Sequence, residues 1–255
     1  MLGKLMKYEF KSLFKTFSIA YLLMIIASIL LATTIKNVDS VLSGTAMFFF
    51  VVVIVTTFIM VLVFTITRFN KSLLSDEGYL MFTVPAKTST IVLSKAFTIV
   101  FFSIFTTLVV LLACFCIGLF LNEGNMEGLI KVLDQVAKYM TFSLAINIII
   151  YTLISSFSSV MLIYLALSFG QIGKLKKHKN IFSIIFYFVT AYIISMSSQM
   201  LFGNSFIENS SNTSAILLIE SITKKIIFYN IYEIVLSIVF FIGTVYILDK
   251  KLNLD

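Results

Sequence analysis

The acidic pair Asp76-Glu77, followed by Gly78 and set among Leu73, Leu74, Tyr79, Leu80, Met81 and Phe82, is the one place between apolar blocks where carboxylates and aromatic rings are concentrated. Such a stretch is too apolar for a solvated linker and suits docking onto a soluble partner; folding back against the protein's own underside is the other reading. The remaining reactive side chains are scattered. His178, the only histidine, stands among Lys174, Lys176, Lys177 and Lys179, where a catalytic or metal role has no partners. Cys114 and Cys116 lie two apart on an expected helix and diverge on its surface, which argues against a mutual disulfide or a metal site. Gly170-Gln-Ile-Gly-Lys is too short for the phosphate-cradling pattern GxxxxGK[ST]. Intramembrane proteolysis would need an acid pair, a Ser/His or Ser/Lys pairing or HExxH, and the apolar blocks hold none of these. The expectation is a chain that is not an enzyme, with no catalytic residue, no metal and no resident cofactor.

The elements that must carry these residues are membrane helices. Apolar residues make up 60% of the 255 and charged residues 12%, with a mean hydropathy of +1.06, whereas soluble domains are about one quarter charged. A spanning helix needs about 20 mostly apolar residues, and six blocks qualify, at 17–35, 46–67, 96–121, 139–169, 181–203 and 226–248. The first reads as a retained anchor, since no small-residue cleavage site follows it. Basic residues divide fourteen to five between the two sides these spans define, so the positive-inside rule puts both termini in the cytoplasm. A net charge of +7 then means contact with anionic lipid and not with nucleic acid.

The arm 1–16 has amphipathic spacing. Lys4, Lys7, Lys11 and Lys15 fall in one arc, with Leu2, Leu5, Met6, Leu13 and Phe17 opposite, so it is expected to lie flat on the inner leaflet. Glu9 breaks the apolar face, where an unpaired carboxylate is costly. Pairing with Arg68, the only arginine, and a reach to headgroup water are the two readings of it. In the connection 68–95, Val84-Pro85 forces an extended step and Thr88 or Ser89 can cap the next helix. On the opposite side, Glu123 to Lys138 has an interfacial-helix stripe, and Ser214 to Phe228 is an apolar segment interrupted by Glu220, Lys224 and Lys225.

No span is expected to carry a charge near its centre, since Glu233 and Asp249 sit toward the ends of the last block. Ion-driven carriers usually need intramembrane carboxylates or broken helices, so the driving force is expected from a separate chain. The polar content of the spans is hydroxyl and amide: Asn147, Ser155, Ser156, Ser158 and Ser159 in the fourth, and Ser195, Ser197, Ser198 and Gln199 in the fifth. Among these, Asn147, Ser155, Ser159, Ser195 and Gln199 are the candidates for helix packing or for a path taken by an amphipathic substrate.

KYEFK at Lys7 to Lys11 and LLSDEGYLMFTVPAKTSTIVLSK at Leu73 to Lys95 resemble the permease subunits of bacterial type 2 ABC transporters, especially the small six-span exporters of the bacitracin and lantibiotic-resistance kind. The resemblance covers the whole chain in topology, but only these two stretches are specific enough to count as motifs. It implies an all-α polytopic permease domain over 1–255, with the arm as an N-terminal elbow helix and 68–95 as a cytoplasmic coupling element between spans two and three. Ser75, Asp76, Glu77, Gly78, Tyr79, Leu80, Met81 and Phe82 would dock in a groove of the ATPase. ATP and Mg would be held by that partner, and the chain would pair with an identical or related permease in a bacterial cytoplasmic membrane. The substrate class implied is an antimicrobial peptide, another amphipathic molecule or a lipid-like compound. Two other classes stay open: a channel or secondary carrier that works without an ATPase, and a non-transporting membrane immunity or scaffold protein.

Overall fold

A computed structural model describes residues 2–34, 41–74, 87–121, 126–172, 178–202 and 215–250. Among them are seven helices: α1 (Leu2–Thr34), α2 (Val41–Leu73), α3 (Thr88–Leu121), α4 (Met126–Tyr139), α5 (Phe142–Phe169), α6 (Lys179–Phe202) and α7 (Ala215–Lys250). All but α4 are long and apolar enough to cross a membrane, which is the architecture of a multi-pass membrane protein.

The helices run further than the hydropathy blocks. The amphipathic arm and the first span form one uninterrupted helix of 33 residues. It contains no proline, its one glycine is in the first turn, and Ser18 donates to the Phe14 carbonyl at 2.6 Å across the junction, so nothing interrupts the backbone ladder. At 1.5 Å per residue this helix is about 50 Å long against a hydrocarbon layer of roughly 30 Å. The stretch from Ser214 to Phe228 is likewise not a separate segment: from Ala215 it is the first part of α7, 36 residues long. Its interrupting charges suit an exposed helical turn, because Lys224 Nζ meets Glu220 Oε1 at 2.7 Å with i, i+4 spacing.

The connection expected over 68–95 is shorter, since α2 continues to Leu73 and α3 begins at Thr88, where the Lys87 carbonyl accepts from the Thr90 and Ile91 amides. The fourth expected stretch, 139–169, is α5 apart from its first residues, and the helix expected over Glu123 to Lys138 is α4. A break at Met140-Thr141 separates α4 from α5, and the Thr141 hydroxyl caps α5 by accepting from the Leu144 amide at 3.3 Å.

The chain forms two compact units, 1–65 with 97–140 and 66–96 with 141–255. In the first, α1 and α3 run in the same direction. Phe10 meets Phe101 at 4.8 Å between ring centroids, Phe17 stacks on Phe102 at 4.6 Å, and Tyr21 meets Phe105 at 5.2 Å. The Tyr21 hydroxyl lies 2.9 Å from the Thr106 hydroxyl and donates to the Phe102 carbonyl at 3.2 Å, so the aromatic seam satisfies its one polar tip. Phe64 of α2 adds an edge to Phe17 at 5.5 Å.

In the second unit α5 and α7 run in the same direction, with Asn147 beside Asn230 and Leu165 against Gly243. A Cβ at Gly243 would stand 2.9 Å from Leu165 Cδ1, so the glycine permits this close approach. The turn from α5 to α6 is tighter. Gly170 closes α5, with its amide directed at the Ala166 carbonyl, and any Cβ there would collide with the Lys179 carbonyl and the Ser183 hydroxyl of α6. Phe169 then stacks on Phe186 at 4.2 Å and secures the antiparallel pair.

Candidate functional site

The eight residues expected to couple to a partner, Ser75 to Phe82, lie outside the described residues, as does the Val84-Pro85 step. Their two flanks are described, and both are seated in the second unit. From the end of α2, Phe69, Leu73 and Leu74 are buried; from the start of α3, Ile91, Val92, Lys95 and Ala96 are buried. Phe69 stacks on Tyr164 of α5 with centroids 4.1 Å apart and planes 17° from parallel, and both rings are fully enclosed. The turns on either side of the acidic-aromatic stretch are thus packed.

Lys95 was expected in the connection as an ordinary basic residue. It sits in the second turn of α3 and is only 2% exposed, between the buried Ser94 and Thr98. A lysine is rarely so enclosed unless its charge is met. The start of α3 at Thr88 puts it on a helix, as the capping types Thr88 and Ser89 suggest, but nothing in the local sequence marks it as facing inward.

Glu9 and Arg68 are each half-buried, Glu9 on α1 in the first unit and Arg68 on α2 in the second. Of the candidate path residues, Asn147 is half-buried at the contact of α5 with α7. Ser155 is half-buried, whereas Ser159, Ser195 and Gln199 are exposed. Cys114 is an exposed thiol, Cys116 is half-buried, and both are free. Among the described residues, no three His, Cys, Asp or Glu side chains gather closely enough to hold a metal ion.

The polar side chains that do converge are in the second unit. Asn230 Nδ2 donates to the Asn147 carbonyl and to Asn147 Oδ1, both at 3.3 Å, while Asn147 Nδ2 donates to the Ser143 carbonyl at 2.8 Å. Asn230 is 6% exposed, and its Oδ1 has no hydrogen-bond partner among the described residues, which is costly in an apolar setting. Two residues on, the Tyr232 hydroxyl lies 2.6 Å from the Ser197 hydroxyl of α6. Tyr229 meets Tyr151 edge-on at 6.3 Å.

Glu233 shares the face of Asn230 by i, i+3 spacing and is half-buried. It was expected near the end of its span. The extra turns from Ala215 make it the nineteenth of the 36 residues of α7, and it is the eighth of the 23 residues of the expected span 226–248. The run Phe-Tyr-Asn-Ile-Tyr-Glu at 228–233 carries the signal, a cluster of hydrogen-bonding side chains inside an apolar block.

No family model, no curated protein and no solved structure matches this chain.

Proposed function

We propose that this chain is the membrane-spanning permease subunit of an ATP-driven exporter, acting on an amphipathic peptide or a lipid-like compound. One observation carries the reading: the two flanks of the acidic-aromatic stretch are packed into a helical core, with Phe69 stacked on Tyr164 and Leu73, Leu74, Ile91 and Val92 buried. A docking handle needs that arrangement, since a pull on a loosely attached loop would be absorbed by the loop. The resemblance of Lys7 to Lys11 and Leu73 to Lys95 to type 2 permeases supports it.

In this reading a separate ATPase, carrying ATP and Mg, grips Ser75 to Phe82. Its closure moves the ends of α2 and α3, and each of those helices belongs in part to both compact units, so one displacement reaches both. The amphipathic first turns of α1 run without a break into the first span, in place of the separate elbow helix that the resemblance implied, and both termini are in the cytoplasm of a bacterial cell. A second six-helix chain completes the transporter. The test is transport or protection in cells that express this chain with an ATPase encoded beside it. Replacing the phosphate-binding lysine of that ATPase abolishes the activity if the reading is right; activity that survives overturns it.

A second reading has its own observation. Glu233 mid-helix, with the buried acceptor Asn230 Oδ1 one turn before it, is the type of polar group around which an ion-driven carrier is organised. Substrate uptake into vesicles that contain this chain alone, driven by an ion gradient and lost in Glu233→Gln, would favour it over the exporter.

A further inference from the structure

In the first unit, a crevice of about 230 Å³ separates α1 from α2. Ile19, Ala20 and Leu23 form one wall and Val52, Thr56 and Met60 the other. The gap follows from residue size, because Ala20, Val52, Val53, Thr56 and Thr57 leave unfilled the space that longer side chains would occupy. Thr57 spends its hydroxyl on the Val53 carbonyl at 2.7 Å, which leaves the interior hydrocarbon in character. An apolar cavity of about 150 Å³ already takes a benzene-sized guest and stays dry, so a larger one that opens sideways past the exposed Ile19, Leu23 and Val52 will not hold water.

The end of the crevice marks what enters it. Thr16 stands at the margin toward the N-terminus of α1. Lys15 is one turn below Ile19 and Lys11 one turn further, on i, i+4 spacing, and both are exposed. The first four turns of α1 carry Lys4, Lys7, Lys11 and Lys15 against the single acid Glu9. Apolar walls within the membrane, continued by a lysine ladder at one end, match the two halves of an anionic phospholipid.

We propose that the α1–α2 crevice binds one acyl chain of an anionic phospholipid, with Lys15, and Lys11 behind it, meeting the headgroup phosphate. The proposal requires only that α1 crosses the membrane; it does not depend on the exporter reading. Bound there, the lipid would fill the seam between two helices that otherwise meet across a gap.

The chain has no tryptophan, so one introduced residue reports alone. Leu23→Trp places the reporter in the crevice, and Leu22→Trp, at the same depth on an exposed position, is its control. Each full-length variant is reconstituted in phosphatidylcholine vesicles with increasing fractions of phosphatidylglycerol or phosphatidylcholine brominated along the acyl chain. Leu23→Trp should be quenched at about a fivefold lower fraction of the anionic lipid for each lysine that meets the headgroup, and Leu22→Trp equally by both lipids. Adding Lys11→Gln with Lys15→Gln should remove the preference, and Thr56→Phe should remove the saturable component by filling the crevice. Equal quenching of Leu23→Trp by the two lipids would overturn the proposal, and so would the same preference at Leu22→Trp. If Leu23→Trp fails to insert, Met60→Trp on the facing wall takes its place with the same outcomes.

Discussion

Phe69 and Tyr164 stack face to face, 4.1 Å between centroids, and join the last turns of α2 to the C-terminal part of α5. Neither ring is reachable by solvent. The pair seats one flank of the acidic-aromatic stretch, so it is where the proposed handle is fixed to the helices it moves.

Phe69→Ala should therefore lower stability by about 3–5 kcal/mol, the usual cost of emptying a buried aromatic position. Phe69→Leu should lose distinctly less. Thermal unfolding of the purified protein in detergent checks both. A Phe69→Ala protein as stable as the parent would show that the stack anchors nothing.

Gly170→Ala should destabilise the turn between α5 and α6 by roughly 1–3 kcal/mol, the range for forcing a methyl group into a packed site. Adding Ser183→Ala should restore only part of the loss, because the Lys179 carbonyl, a backbone atom, still obstructs the methyl group. Full recovery in the double variant would place the collision on the side chain alone.

Tyr21→Phe removes the hydroxyl shared with Thr106 and the Phe102 carbonyl but keeps the ring against Phe105. A hydrogen bond between membrane helices averages about 0.6 kcal/mol. The expected result is a small loss of thermal stability, with Tyr21→Ala losing several times more. Equal losses would mean that the hydroxyl, and not the aromatic seam, holds α1 to α3.

Asn230→Leu breaks the amide contact with Asn147 and also removes the unpartnered Oδ1. The two changes oppose each other, so stability should move by less than about 2 kcal/mol in either direction. Under the exporter reading ATP-dependent transport also survives Glu233→Gln. Under the carrier reading ion-driven uptake by this chain alone is lost in Glu233→Gln, and the two substitutions read together decide whether this cluster packs helices or handles an ion.

The six spans were legible because hydrophobic composition alone decides which segments leave water, and every expected block lies within a helix apart from a few terminal residues. The start of α3 was legible from the capping types Thr88 and Ser89, but other helix ends were not. Capping at Thr141 and the continuation of α7 back to Ala215 depend on local hydrogen bonds and on exposed ion pairs such as Glu220 with Lys224, which hydropathy penalises although an exposed helical turn accepts them. The reading of two residues changed. Lys95 moved from a connection into a buried turn, and Glu233 from the end of a span to the middle of a helix. Of the proposed path residues, Asn147 found a cross-helix partner, while Ser159, Ser195 and Gln199 face outward, because runs of hydroxyl residues signal polarity without signalling which side of a helix meets a neighbour. The coupling role of Ser75 to Phe82 was implied by the resemblance to type 2 permeases, and only their flanks are described.

Co-purification of this chain with its candidate ATPase is the most direct measurement, made on the parent and on the variant with Asp76, Glu77 and Tyr79 all replaced by alanine. If the stretch is the handle, the parent retains the ATPase in near-equal amounts and the variant loses it while remaining folded and membrane-inserted. Undiminished ATPase retention by a folded variant would contradict the account.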